Sequence, residues 1–288
     1  MMHQPPLYGL SLSEFITAAL KEDVGDGDHT SLACIDPAEE GKAIVKVKED
    51  GVIAGLVLAD MILNHVDSSL KVRVLVNEGS PVKKGETVME IDGKVQSMLK
   101  GERLLLNCMQ RMSGIATVTR KLTELIAGTG AKLLDTRKTT PNFRPFEKWA
   151  VLSGGGYNHR FGLYDMIMIK DNHVDASGGI SIAIRKANEY LLRTGKKLKI
   201  EIETRNLREV QEALDCGGID RIMLDNFSID KLREAVSLIN KKYETEASGG
   251  ITFENIRSYA ECGVDYISVG ALTHSYKSLD ISLKIISS

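Results

Sequence analysis

The segment from Asp135 to His173 places cationic side chains around three consecutive glycines at 154–156. Five of these side chains are candidate ligands: Arg137, Lys138, His159, Arg160 and Lys170. A guanidinium group grips a carboxylate or phosphate through two parallel hydrogen bonds, so such a cluster is typical of a site for a small polyanion. The formal net charge of the whole chain is only −2. A general basic surface for nucleic acid is therefore not expected.

Three carboxylates are candidates for the opposite role, the binding of a cation. Glu201 and Glu203 share one face of a predicted strand because side chains alternate with a period of two, and Asp225 ends the next predicted strand. Placed opposite Lys138 and Lys170, these acids suit magnesium carrying a polyphosphate. Glu201 ranks below the other two, since an acid–base network that only stiffens the fold explains it equally well.

Two glycine motifs near the end of the chain predict a phosphate site. They are Ser248–Gly250 and Val269–Ala271, including Gly249 and Gly270, on the last two predicted strands. Glycine lets backbone N–H groups approach a phosphate, and a helix predicted to begin near Thr252 would add its positive end. The alternative is that the glycines serve only tight turns.

His159 and Lys170 each allow a second interpretation. A single histidine is more often structural than catalytic, although its position beside Arg160 favours a site. Lys170 could form a Schiff base, but that chemistry needs a desolvated neutral amine. Its neighbour Asp171 and the surrounding anion-binding groups favour charge pairing instead.

The elements that must position these residues alternate regularly beyond Gly130. Short apolar runs predict strands, and stretches with helical spacing lie between them. The six strands are predicted at 132–137, 166–170, 197–203, 221–226, 244–250 and 266–271. Such βαβ units form either a barrel or an open doubly wound sheet. The barrel is favoured because every strand ends in a chemically useful residue, and a barrel gathers all those ends in one mouth.

The first part of the chain predicts a separate α/β domain over residues 1–112, followed by the barrel over 113–272, with a tail at 273–288 that packs on the first domain. An amphipathic helix is predicted at 11–23, followed by a turn in which Thr30 or Ser31 can cap the next helix. A long helix is predicted at about 101–128. Its apolar residues are assigned to the core: Leu104, Leu105, Met109, Met112 and Ile115. Arg103 and Arg111 on the same helix lack such an explanation.

Composition predicts a cytoplasmic protein without a membrane segment. The four cysteines are scattered, which argues against a zinc site or a disulfide framework. No apolar run approaches the ~20 residues of a spanning helix. The start of the chain lacks the cationic and apolar regions of a secretion signal.

Taken together, the motifs resemble the quinolinate phosphoribosyltransferase family, also called nicotinate-nucleotide pyrophosphorylase (carboxylating). The resemblance runs from about Glu22 to Ser275. It rests on EDVGDGDHTS, ERLLLNCMQRMSGIATVTR, DTRKTTP, GGGYNHRFGLYD, IKDNH, LDNF, ASGGI and VGALTHS.

The resemblance implies a type II phosphoribosyltransferase fold, in which an N-terminal α/β sandwich-like domain packs on an incomplete six-stranded α/β barrel. It implies conversion of quinolinate and phosphoribosyl pyrophosphate to nicotinate mononucleotide, pyrophosphate and CO2, with Mg2+, by a homodimer. Quinolinate would be held by Arg137, His159, Arg160 and Lys170, with Arg103 entering from the neighbouring subunit. The ribose, metal and pyrophosphate would be handled by Lys138, Glu203 and Asp225, and the 5′-phosphate by Ser248, Gly249, Gly250 and Gly270.

The sequence leaves three rival functions open. A transferase acting on nicotinate or nicotinamide needs fewer cations than this chain provides. A diverged paralogue, such as the homologue associated with molybdenum transport, would not be expected to keep the DTRKT and HR motifs. A non-catalytic sensor of phosphorylated ligands would gain little from Glu203 and Asp225.

Overall fold

The computed structural model describes residues 11–286, and these residues form two units. One unit contains the described residues through Arg120, the segment Thr139–Gly155 and the described residues from Thr273; the other contains Lys121–Lys138 and Gly156–Leu272. The domain boundary near residue 112 stays a prediction. The absence of a secretion signal concerns the start of the chain, and residues 1–10 lie outside the described residues.

Within the described residues, helices and strands follow in the order expected for an α/β chain. The helices are α1 (Leu12–Val24), α2 (His29–Cys34), α3 (Leu56–Val66), α4 (Val95–Leu125), α5 (Arg144–Ser153), α6 (Asp171–Ser177), α7 (Ile180–Thr194), α8 (Leu207–Cys216), α9 (Ile229–Ile239), α10 (Ile256–Ala260) and α11 (Ala271–His274). The strands are β1 (Glu40–Val47), β2 (Gly51–Val52), β3 (Lys71–Val74), β4 (Pro81–Val82), β5 (Thr87–Lys94), β6 (Lys132–Leu134), β7 (Ile167–Ile169), β8 (Ile200–Thr204), β9 (Arg221–Asp225), β10 (Glu244–Ser248), β11 (Tyr266–Ser268) and β12 (Ile281–Ile286).

The first unit is built on an antiparallel sheet with the strand order β12-β1-β5-β3. Its inward side chains alternate along β1, where Ala43, Val45 and Val47 are buried. The strand β12 pairs with β1 from Lys42 to Val47, so the last described residues complete the first large sheet of the chain. A small second sheet pairs β2 with β4.

The second unit is a six-stranded parallel sheet with the order β6-β11-β10-β9-β8-β7. All six predicted strands are present, which confirms the expected α/β arrangement. Strands β6 and β7 lie at its two ends and do not pair with each other. The outer edge of β6 instead bonds to Tyr157, whose N–H donates to Leu133 O and whose carbonyl accepts from Asp135 N–H. The barrel is therefore incomplete, as predicted.

Local signals explain most helix ends and correct some predicted ones. A capping box between Ser11 and Glu14 starts α1, since each side chain accepts a hydrogen bond from the other residue's N–H. The prediction that Thr30 or Ser31 caps the next helix is wrong, because Asp28 precedes α2 and accepts hydrogen bonds from the N–H and hydroxyl of Ser31. Its carboxylate satisfies the N–H that the first turn leaves unpaired.

The long helix α4 begins at Val95, six residues before the predicted start. Its apolar face is buried as predicted, including Leu105, Met109, Met112 and Ile115, which are completely inaccessible. Among residues 11–286, no helix has the length and apolar character needed to cross a bilayer.

Candidate active site

The carboxyl ends of the six parallel strands meet at one edge of the second unit, where barrel enzymes place their sites. Lys170 directly follows β7 and Arg137 lies in the loop after β6. Glu203 is the second-last residue of β8, and Asp225 is the last of β9. Ser248 ends β10 and Gly270 follows β11. The sequence prediction that these residues share one edge agrees with the strand order.

Two guanidinium groups at this edge stand near each other. Arg160 is half-buried, and its Nη1 donates to the carbonyl of Met166 at 3.2 Å. Burial, followed by the like charge of Arg137, lowers the pKa of Arg160, with partial compensation from Glu201 and Asp165. Because neighbouring like charges repel, a bound anion would stabilise this pair more than it would a lone arginine.

Lys170, Glu203 and Asp225 form a mixed-charge group on the neighbouring strand ends. The Nζ of Lys170 lies 3.8 Å from Oε2 of Glu203. Burial raises the pKa of Glu203; the charge of Lys170 opposes that change, and the charge of Asp225 adds to it. The carboxylate of Asp225 also accepts a hydrogen bond from Nδ2 of Asn226 at 2.5 Å.

Glu203 and Asp225 have the chemistry that magnesium requires. Mg²⁺ prefers oxygen ligands and is usually held by one or two carboxylates together with substrate phosphates and water. Burial, and after it the charge of Asp225, disfavours the ionised form of Glu203 and raises its pKa, and a cation near the two carboxylates would relieve both effects. These residues therefore fit the predicted metal.

The glycine loop after β10 has a backbone suited to a phosphate. Gly249 and Gly250 have φ angles of 88° and 62°, in the left-handed region. A Cβ on Gly249 would overlap Oδ1 of Asn226 and come within 3.0 Å of its backbone nitrogen, whereas a Cβ on Gly250 would have nothing within 4 Å. The backbone at Gly250 is therefore open to a ligand.

The predicted contribution of a helix beginning near Thr252 is wrong. Helix α10 begins only at Ile256 and has five residues. The N–H of Thr252 is already bound to Oδ1 of Asn255 at 2.7 Å, and the Asn255 amide donates to the carbonyl of Gly250. Asn255 therefore occupies the N–H of Thr252, which a helix would have offered to a phosphate. The candidate phosphate ligand is the glycine backbone and not the helix.

His159 lies deeper than the other predicted substrate ligands, with a side chain 4 % exposed. Its Nε2 lies 3.1 Å from Oε2 of Glu201 and 3.3 Å from Oε2 of Glu246. Its Nδ1 accepts a hydrogen bond of 2.7 Å from the backbone N–H of Arg160. Both ring nitrogens are thus engaged within the barrel, which favours an orienting role.

Glu201 was expected among the strand ends, and this placement is wrong. It is the second residue of β8 and is completely buried inside the barrel, near His159 and Glu246. The alternative interpretation, an internal acid–base network, describes it better.

Oxygens of Glu201 and Glu246 lie within 4.8 Å of the His159 ring nitrogen, which is a spacing that a metal could use. A metal does not fit there for two reasons. Because Nδ1 of His159 accepts the Arg160 N–H, the ring hydrogen must be on Nε2, which therefore has no lone pair for a metal. The charge of Glu246 is already compensated by Arg221, whose Nη1 lies 2.9 Å from Oε2 of Glu246.

Sequence reasoning missed the partners that fix His159. Asp135 is buried, and its Oδ1 accepts the His159 N–H at 2.8 Å. Glu246 and Arg221 form a buried ion pair on adjacent strands. The available signal was the acid in the middle of the strand sequence ETEAS, a position that normally faces an apolar core.

The remaining predicted residues are more exposed. Lys138 is exposed in the loop after β6, and its N–H donates to Thr136 Oγ1 at 3.0 Å. Arg103 is exposed on α4, in the first unit.

Arg111, unexplained from sequence, is structural: it bonds to the buried carboxylate of Glu147 and stacks between the rings of Phe143 and Tyr276.

Fold and site together define an α/β-barrel enzyme for an anionic, phosphate-bearing substrate. Family models for quinolinate phosphoribosyl transferase match residues 28–113 with the N-terminal domain and residues 115–284 with the C-terminal domain. The chain belongs to the quinolinate phosphoribosyltransferase family.

Individual relatives agree with this family. The chain is 47 % identical to quinolinate phosphoribosyltransferase [decarboxylating] 1b of Nicotiana tabacum, covering 98 % of this chain and 85 % of the relative. It is 42 % identical to the probable nicotinate-nucleotide pyrophosphorylase [carboxylating] of Bacillus subtilis, with 96 % and 94 % coverage. The crystal structure of NadC from Streptococcus pyogenes superposes with a TM-score of 0.91 at 38 % identity, covering 98 % of this chain and all of the other.

Proposed function

We propose that this protein transfers phosphoribose from phosphoribosyl pyrophosphate to quinolinate and releases pyrophosphate and CO2, yielding nicotinate mononucleotide for NAD biosynthesis. The observation that carries the proposal is that the like charges of Arg137 and Arg160 are neighbours at the strand edge where Lys170 follows β7. Quinolinate is a dianion with adjacent carboxylates, and bidentate guanidinium contacts match that geometry. Nicotinate has one carboxylate and would leave part of this cationic group uncompensated.

The chemistry proposed for the residues begins with binding. Arg137, Arg160 and Lys170 hold the two quinolinate carboxylates, so that the pyridine nitrogen faces C1 of the ribose. Fixing two reactants in this way is worth up to ~7–11 kcal/mol of the activation barrier. The nitrogen lone pair forms the bond to C1 while the bond from C1 to pyrophosphate breaks, so the transfer needs no general base.

Decarboxylation follows from the charge that the transfer creates. The new pyridinium ring accepts the electron pair of the bond between C2 and its carboxylate, CO2 leaves, and C2 takes a proton from solvent. Lys138 is proposed to stabilise the departing pyrophosphate, and Ser248, Gly249, Gly250 and Gly270 to bind the 5′-phosphate.

Magnesium is part of this proposal. Glu203 and Asp225 would hold it, directly or through water, and when bound it would neutralise charge on the pyrophosphate. Their neighbouring positions and the raised pKa of Glu203 support this assignment.

A homodimer is also proposed, in which Arg103 joins the quinolinate contacts of the neighbouring subunit. The exposure of Arg103 on α4 is compatible with that role. A cytoplasmic location remains a prediction from the scattered cysteines; among the relatives, the Arabidopsis thaliana enzyme is named chloroplastic and a Nicotiana tabacum enzyme mitochondrial.

The function is tested with purified protein, Mg²⁺, phosphoribosyl pyrophosphate and quinolinate labelled in the C2 carboxylate. Equal release of labelled CO2 and pyrophosphate is expected. Pyrophosphate release with nicotinate and none with quinolinate would overturn the proposal in favour of a non-decarboxylating transferase. Binding of a phosphorylated ligand without any turnover would favour a sensor or a diverged paralogue.

A further inference from the structure

A line of buried charges runs through the interior of the second unit beneath Arg160. At its lower end, Arg221 bonds to Glu244 through Nε and Nη2 at 3.3 and 3.1 Å, and its guanidinium lies 3.9 Å from the ring centroid of Tyr266. Its Nη1 reaches Glu246 at 2.9 Å. These residues lie on three neighbouring strands, β9, β10 and β11.

The line ends at His159, whose Nε2 faces the carboxylates of both Glu246 and Glu201. On the other side of the ring, Nδ1 accepts the N–H of Arg160 at 2.7 Å. The imidazole therefore connects the internal acids directly to the backbone of the arginine proposed to bind quinolinate. No other side chain between them is needed for this connection.

The backbone that carries Arg160 has little regular structure of its own. Residues 158–165 contain neither helix nor strand. The Asp135 carboxylate holds the His159 N–H, and the Asp165 carboxylate holds the N–H groups of Phe161 and Gly162 at 2.6 and 2.9 Å. Between these two anchors, the ring of His159 holds the N–H of Arg160.

Burying these charges costs them their hydration, which indicates that the network has a role besides stabilising the fold. A buried ion pair is often no more stabilising than apolar residues of the same volume, because each charge loses its hydration. Glu201 and Glu246 are both completely inaccessible to solvent. Functional side chains, by contrast, need supporting hydrogen bonds that fix their geometry.

We propose that Glu246 and Glu201 are positioning residues, which act through the imidazole of His159 to hold Arg160 in the orientation that binds the quinolinate carboxylates. This inference rests on the proposed function for the identity of the substrate. It assigns a role to two interior acids that would not touch substrate themselves.

The test compares Glu246→Gln and Glu201→Gln with the matched control Glu244→Gln. All three variants replace a carboxylate by an amide of the same shape. Glu246→Gln and Glu244→Gln each remove a carboxylate that pairs with Arg221. Glu244 is the control because, unlike Glu246, it does not contact His159. In the two test variants, we expect the Kd and KM for quinolinate to rise about tenfold, the effect of losing one charge-assisted hydrogen bond. The KM for phosphoribosyl pyrophosphate and kcat are expected to change less than about threefold, and the control to match the wild type within the same factor.

The ring itself gives a second readout, by ¹⁵N NMR of labelled histidine. The His159 signals are assigned by their loss in His159→Gln. The wild type and Glu244→Gln are expected to show an unprotonated Nδ1 and a protonated Nε2, with altered shifts in both test variants. Unaltered His159 signals in either folded test variant would overturn the proposal.

Direct binding by calorimetry separates this inference from the function itself. If the wild type binds quinolinate but does not turn it over, the function fails, and the Kd values of the variants still decide the positioning role. If the wild type is active and both test variants keep its quinolinate Kd and KM, the positioning role alone is wrong. Weaker binding of both substrates in the test variants, or an equal effect of Glu244→Gln, would indicate a merely structural network. Either result would also overturn the positioning role. Should Glu246→Gln fail to fold, Glu201→Gln carries the same expectations.

Discussion

The Nζ of Lys170 lies 3.8 Å from Oε2 of Glu203, so a proposed substrate ligand and a proposed metal ligand share one charge pair. The charge of Lys170 opposes the effects that raise the pKa of Glu203. In Lys170→Met that opposition is lost, and Glu203 stays protonated to a higher pH. We therefore expect the acidic limb of the rate profile to move to higher pH, together with a higher KM for quinolinate.

The matched control for this prediction is Lys199→Met. Lys199 lies 3.7 Å from Glu244, a similar pair just before the start of β8 and away from the strand ends that carry the site. It is expected to leave the pH profile unchanged. An unshifted acidic limb in Lys170→Met would contradict the coupling of the two residues.

The like charges of Arg137 and Arg160 predict that a dicarboxylate stabilises the protein. Quinolinate alone is expected to raise the unfolding temperature, because binding to the folded state adds to stability. Arg160→Ala should abolish most of this shift, since a charge-assisted hydrogen bond is worth ~1.5–3 kcal/mol. Arg185→Ala, which removes an exposed cation from α7, should retain it. Equal shifts in both variants, measured by thermal unfolding, would refute the assigned contact.

The glycine loop predicts a pair of variants with the same strain and different function. Gly250 and Gly195 have φ angles of 62° and 67°, and a Cβ on either would have nothing within 4 Å. Alanine at each should therefore lower stability by a similar ~1–2 kcal/mol, the cost of left-handed backbone. Only Gly250→Ala should raise the KM for phosphoribosyl pyrophosphate. Steady-state kinetics and urea unfolding measure the two effects separately, and an unchanged KM in that variant would argue against the phosphate site.

Arg111 and Glu147 predict a large effect on stability. Glu147 is completely buried; its Oε1 accepts from Arg111, and its Oε2 accepts from the N–H of Thr140 at 3.1 Å. Arg111→Met leaves this carboxylate buried without its cation, which costs ~3–5 kcal/mol. The double variant Arg111→Met/Glu147→Gln should recover part of the loss. Urea unfolding checks the prediction, and a single variant as stable as the wild type would contradict it.

The buried cluster around His159 predicts how stability depends on pH. Burial and then the charge of Glu246 raise the pKa of Glu201 to about 7. The folded state therefore binds a proton at Glu201 more tightly than the unfolded state does.

The sign follows from that excess of bound protons. The contribution of Glu201 is fully present below the usual pKa of a glutamate and is lost as pH rises through about 7. The urea midpoint should therefore fall over this range at a fixed protein concentration. Glu201→Gln should flatten the dependence, whereas the exposed His274 should not affect it when replaced by Gln. An equally steep dependence in both variants would refute the assignment.

The sequence allowed the barrel and its mouth to be predicted because both follow from local patterns. Apolar runs mark each strand, and parallel strands necessarily bring their carboxyl ends to one edge. The sequence alone therefore places Glu203, Asp225 and Lys170 together at that edge. The glycines of the loop after β10 could be predicted from a local signal as well, since glycine is the residue type that most readily adopts the left-handed backbone found there.

The interior of the barrel could not be predicted in this way. The two-residue period places Glu201 on the same side as Glu203, but it does not tell how far each lies from the mouth. Partners such as Glu246 and Arg221 become neighbours only through the register of β8, β9 and β10. The false helix start at Thr252 has a similar origin, since Asn255 binds the N–H that a helix would have presented.

The pairing of β12 with β1 has a consequence for the order of events during synthesis. The strand β1 emerges early from the ribosome, but its partner β12 is made only after the entire barrel. The first unit also includes Thr139–Gly155, which is translated between parts of the second unit. The first unit therefore cannot reach its final form until the barrel has been synthesised, and the barrel strands are available to fold before the first unit is finished. A chain stalled before Ile281 would expose the unpaired edge of β1, an open template for aggregation.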